Sequence, residues 1–173
     1  MTILEEIENE VWFILVSIYT HQELMSSLTT SQTRYELGNQ FVTLNALTEL
    51  LILRIARLAD RTKGVRSIAM LLKRGTFQAS TADMQLVADK FYAYAASVVK
   101  IRHEQIAHMK PGTLSIYEPR EIPTAVLRGT EILVELIDLA RGSLQSYIYT
   151  VGSQESDVDL RASVMANKRI FVN

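Results

Sequence analysis

Residues 80–109 read STADMQLVADKFYAYAASVVKIRHEQIAHM. Met84, Val87, Phe91, Ala95 and Val98 recur at helical spacing and predict a long helix with one apolar face. Ser80-Thr81 supplies a cap at its start. Lys110-Pro111-Gly112 stops it, because proline cannot continue a helix and disfavours helical geometry just before it. Carried forward, the apolar stripe lands on Arg102, then on Gln105 and Ile106. Arg102 is thus expected where a core residue belongs. A charge on that face must be paired or hydrogen-bonded. Either a carboxylate of the bundle, Asp60 or Glu49, holds it in a buried pair, or the face borders a cleft that takes an anion.

The same period organises the rest of the chain. Thr2 is expected to cap a first helix to about Leu28, with Ile7, Val11, Ile14, Val16 and Ile18 as its apolar positions. Thr29-Thr30-Ser31 restarts the chain. A second helix then runs to about Arg61 with Leu44, Leu47, Leu51, Ile55 and Leu58 in register, closed by Thr62-Lys63-Gly64. Ser67 to Lys73 reads as a short helix. Residues 110–123 hold all three prolines and form an irregular connection. Pro123 opens a last long helix to about Thr150, with Val126, Leu133, Ile137, Ala140 and Leu144 facing in. No strand pattern carries weight. Residues 152–157 read as a polar linker, and Val158 to Asn173 as a short docked helix or a tail. The expected fold is all-α, an up-and-down bundle of four to five helices over residues 1–150, with residues 151–173 as a C-terminal appendage.

At 173 residues the chain is long enough for one domain with a real core. A net charge of −1 argues against a surface that coats nucleic acid broadly and leaves room only for local basic patches. Without cysteine there is no disulfide, zinc-thiolate site or thiol nucleophile. The acidic start at Glu5-Glu6 is unlike a signal peptide, and the run Val11 to Val16 is too short to span a bilayer. The expectation is a cytoplasmic protein with no membrane association.

The chemistry concentrates in Arg102-His103-Glu104-Gln105-Ile106-Ala107-His108. Arginine is always protonated and forks onto phosphate oxygens. Histidine exchanges protons near neutral pH. The two together suggest work on a phosphodiester. His108 lies six positions beyond Arg102, about 240° around an ideal helix at roughly 100° per residue, so the two converge only if the helix ends there. Zinc is not expected. A metalloprotease helix needs its histidines four apart, and His103 and His108 are five apart. Glu-x-x-His pairs, a glycine-rich phosphate loop and a nucleophile elbow are missing too. No metal or other cofactor is expected. The plainer readings are a helix-end histidine at 108, favoured by the dipole, and an ion-paired Arg102. His21 reads as a surface or interface residue. Tyr92 and Tyr94 read as core or dimer contacts rather than base-stacking platforms. Arg54, Arg57 and Arg61, with Lys63 and Arg66 beyond, form either a solvated face or the flank of a cleft for RNA backbone.

The Arg102-His103-x4-His108 pattern resembles the signature of the HEPN superfamily. The upstream run 47–60, ending in Leu58-Ala59-Asp60 before the short helix from Ser67 to Leu72, resembles its abortive-infection-associated branch. The resemblance covers roughly residues 30–150. It implies a helical bundle that forms a homodimer, with two Arg/His motifs sharing one cleft. It also implies a metal-independent endoribonuclease acting on an RNA substrate in a prokaryotic defence or toxin–antitoxin setting, with a protein antitoxin as partner. By residue, the family implies that His108 assists proton transfer, Arg102 holds the scissile phosphate, and His103 lines the cleft and positions either group. Some family toxins carry a tyrosine two residues after the histidine, modified by a nucleotidyltransferase antitoxin; this chain has Lys110 there. The alternative is a non-catalytic helical module that binds RNA, nucleotide or a protein partner.

Overall fold

The computed structural model describes residues 1–29, 31–107 and 118–172. Four long helices carry the fold: α1 (Ile3–Ser26), α2 (Arg34–Leu58), α4 (Thr81–Ile101) and α5 (Thr124–Arg141), with the short α3 (Ile68–Arg74) between α2 and α4. Their packing closes into a ring, α1 on α2, α2 on α4, α4 on α5 and α5 on α1. Ile7, Ile14, Leu51, Ile55, Phe91, Leu133 and Ile137 are fully buried at the centre. No helix of the described residues is long and apolar enough to cross a membrane.

Local chemistry sets the helix starts. Thr2 with Glu5 and Thr33 with Glu36 form reciprocal capping boxes, each satisfying two backbone N–H groups that a helix N-terminus leaves open. The second box places the start of α2 at Arg34, three residues beyond the Thr29-Thr30-Ser31 signal, because Thr33 has a glutamate three positions on. Ser80 caps α4 through the Asp83 N–H at 3.1 Å.

Beyond residue 141 the chain departs from the expected fold. The last long helix ends at Arg141, not near Thr150, because Gly142 takes a left-handed conformation (φ 69°). The Ser143 N–H then bonds back to the Asp138 carbonyl at 3.2 Å. Leu144, expected inside, is 80% exposed. Beyond it a hairpin forms where no strand was expected: β1 (Ile148–Val151) pairs antiparallel with β2 (Gln154–Asp159) across a turn at Gly152 (φ 61°). The region whose spacing predicts a helix end and a linker is thus one hairpin, and residue 150 lies inside β1. Phe171 forms a bridge with Val158, and the Val172 N–H donates to the Asp157 carbonyl at 2.7 Å. The short α6 (Leu160–Ala166) docks on α1. Tyr147, Val158, Leu160 and Val164 join the same apolar core as the four long helices. Among the described residues the chain is therefore mostly helical, with one small strand pair.

Candidate functional site

At the end of α4 the helix widens. Residues Arg102–Ala107 form a π-helical turn with hydrogen bonds from i to i+5. Ile101 and Ile106 are both half-buried and packed against the core, although five positions separate them. On an α-helix a residue five positions on would sit about 140° away, at roughly 100° per residue. The π turn brings the two back to one face. Arg102, His103 and Gln105 are the exposed residues between them. Arg102 is therefore not a core residue. The apolar stripe passes from Val98 to Ile101, three positions on, and the arginine is left on the solvent side.

Arg102 faces a cleft of about 510 Å³ between the last turns of α2 and α4. Leu53, Ala56 and Val99 form part of its apolar lining, and Arg57, Asp60 and Arg102 are its charged groups. The expected buried ion pair is not what forms. Glu49 is turned to Arg120, 3.8 Å away. Asp60 shares the cleft, and hydrogen bonds from Thr62 hold its carboxyl below the usual range, helped by the Arg102 charge and opposed by slight burial. The Thr62 N–H lies 2.7 Å from Asp60 Oδ1. Two guanidiniums against one ionised carboxylate leave the cleft net positive, and its apolar walls strengthen that field.

His103 is exposed beside Arg102. His108, expected to complete the pair, lies outside the described residues. His21 departs from its expected surface position: it is 3% exposed, and its Nε2–H donates to the Arg120 carbonyl at 2.8 Å. Asn45 grips the same segment from α2. Its amide donates to the Glu118 carbonyl at 3.0 Å and its carbonyl accepts from the Arg120 N–H at 2.9 Å. Residues 118–120 are thus fixed by side chains of α1 and α2, which sequence spacing did not reveal.

The basic run of α2 divides in two. Arg54 and Arg66 turn to Glu10 of α1, the first at 2.5 Å. They belong to the scaffold. Arg57 turns to the cleft, and Arg61 lies over the Tyr92 ring, 4.1 Å from its centroid. Lys73 and Arg74 extend this side and are exposed. Charge density would have found them: residues 54–74 hold seven cations and one carboxylate in a chain of net charge −1.

A roomier cleft of about 620 Å³ lies between α1, the start of α5 and the turn after α6. Two of its four charged side chains, Arg169 and Glu23, are engaged with each other. Arg169 bonds the Tyr19 hydroxyl at 2.7 Å and pairs with Glu23, and His21 is held by the Arg120 carbonyl. The Arg102 cleft, with its cations open to solvent, has the clearer chemistry. No known family model, curated protein or solved structure matches this chain.

Proposed function

We propose that this chain is a metal-independent endoribonuclease of HEPN type, with Arg102 as the group that holds the scissile phosphate. The observation that carries this reading is the placement of Arg102, exposed at the start of the π turn Arg102–Ala107, in a net-positive cleft beside Arg57. A guanidinium so placed can fork onto phosphate oxygens and stabilise the charge that develops as the bond breaks. π turns inside α-helices are frequent at functional sites.

In this reading His108 moves a proton at the ribose 2′-hydroxyl or the leaving 5′-oxygen, and His103 lines the cleft. The product carries a 2′,3′-cyclic phosphate. Two copies bring their motifs together across a homodimer interface, in the cytoplasm of a prokaryote, and a protein antitoxin restrains the activity within a defence or abortive-infection system.

The test is incubation of purified protein with mixed RNA in excess EDTA, beside Arg102→Ala and His108→Ala. Cutting that resists EDTA, leaves cyclic phosphate ends and disappears in both variants is the expected result. A double variant is expected to be little worse than either single one, since both groups serve one step. Retained cutting in either variant overturns the assignment. No cutting by any of the proteins favours the non-catalytic binding module.

A further inference from the structure

The Arg102 cleft is followed along the chain by two smaller recesses, a grooved surface lined throughout by cations of residues 57–74. Arg61 follows Arg57 by four positions, just past the end of α2. It forms the wall between two recesses. One, of about 350 Å³, is bounded by Tyr92, Gln85 and Asp89 of α4. The other, of about 190 Å³, is bounded by Lys63, Gly64 and Arg74. Lys73 borders both recesses. Two carboxylates lie along this path, and each is engaged: Asp60 by Thr62, and Asp89 by the Gln85 amide at 2.9 Å.

Among the described residues most arginines outside the groove are ion-paired, whereas Arg34, Lys100 and Lys168 stand unpaired at scattered positions. Arg54, Arg66, Arg120, Arg141, Arg161 and Arg169 each have a carboxylate partner. Among the described residues Arg57, Arg61, Lys63, Lys73 and Arg74 form no ion pair. An open row of cations attracts an extended polyanion. Arg61 adds a second kind of contact. Its guanidinium is exposed and rests on the Tyr92 ring. A guanidinium held over an aromatic ring is a group on which a nucleobase can stack in turn. A duplex keeps its bases inside and offers only its convex backbone. A recessed groove with a stacking plane fits a single strand.

We propose that a single strand of RNA lies along this groove, with a base on the Arg61 plane and phosphates against Lys73 and Arg74, leading into the Arg102 cleft. This rests on the reading of that cleft as the phosphodiester site. The test is fluorescence anisotropy with a labelled single strand that is 2′-O-methylated throughout, so that it cannot be cut, against the same sequence as a duplex. The proteins are wild type, the double variant Lys73→Glu/Arg74→Glu, and Arg61→Lys. Wild type is expected to prefer the single strand. The double variant is expected to bind at least about tenfold more weakly, with the slope of log K against log salt shallower by about 1.4, as for two lost phosphate contacts. Arg61→Lys keeps the charge and loses the plane, so affinity is expected to fall about tenfold with the slope unchanged. Wild-type affinity in these variants, no binding by wild type, or a preference for duplex overturns the groove. Cleavage lost in Arg102→Ala while the groove variants bind normally rejects the groove and keeps the nuclease. Weakened binding in the groove variants with no cutting by wild type does the reverse.

Discussion

Glu10 of α1 holds Arg54 of α2 at 2.5 Å, with side chains only 8% and 18% exposed. The same carboxylate takes Arg66 from the connection between α2 and α3. One carboxylate thus bridges two arginines, with Glu6 as a second acid 3.6 Å from Arg66, and it ties the basic end of α2 to the scaffold. Arg54 also lies over the Phe13 ring, 5.0 Å from its centroid.

Removing that acid leaves a half-buried guanidinium without its partner. Glu10→Ala is expected to destabilise the fold by roughly 2–4 kcal/mol, toward the lower part of the range for a broken buried pair because Arg66 is already half in solvent. Urea unfolding monitored by circular dichroism measures it. A cost below about 0.5 kcal/mol, the scale of an ordinary surface change, contradicts the tie.

Arg102→Ala is expected to behave in the opposite way. Because the side chain is exposed, stability should change by no more than about 0.5 kcal/mol. Phe91→Ala, at a fully buried position, should cost about 3–5 kcal/mol in the same experiment. Equal costs would place Arg102 in the core after all.

His21 gives the fold a pH dependence of its own. Burial holds its imidazole below the ordinary value of 6.5, against the opposing pull of the Arg120 carbonyl and the Glu121 charge. The unfolded chain therefore takes up this proton more readily than the folded one. Its contribution is fully present above 6.5 and is lost as the pH falls toward the lower folded value. Thermal melting at about pH 5.5 should give a lower Tm than at about pH 7.5, and His21→Gln should flatten the difference. An equal drop in the variant assigns the effect to other groups.

Two glycines should respond with opposite signs. Gly129 lies inside α5, where an added Cβ would meet Phe91 no closer than 3.8 Å, an ordinary contact. Gly129→Ala should stabilise by about 0.5–1 kcal/mol, raising Tm by about 1–4 °C. Gly142 has φ +69°, and an added Cβ would meet the Gln78 Cβ at 3.2 Å. Gly142→Ala should cost about 1–2 kcal/mol. Differential scanning calorimetry of the pair checks both, and a loss at 129 would show that α5 needs close approach there.

Much of the bundle is legible in the chain, because its apolar positions repeat at 3.6 residues and its helix starts carry Thr-x-x-Glu boxes. Ile7, Leu51, Phe91 and Ile137 fall inside as their spacing predicts. The hairpin is hidden because Val126 to Ala140 sets up a stripe that Leu144 continues by chance. The stop signal at Gly142 is a conformational one, felt only when a left-handed residue is needed. The candidate site is half legible. Residue types mark Arg102, but the five-residue interval from Ile101 to Ile106 defeats α-periodicity and predicts the wrong face for it. His21 and Asn45 act through partners some 99 and 75 residues distant in sequence, which no local pattern contains.

The π turn has a consequence in genetic terms. It is one residue more than an α-helix needs between Ile101 and Ile106. Loss of a single codon there, Gln105 for instance, would set the two isoleucines four apart and let an ordinary helix seat both. The core would keep its contacts, and Arg102, placed by the bond from its N–H to the Val98 carbonyl, would stay where it is. One codon thus sets which face of the helix the residues after Arg102 present, without touching the core.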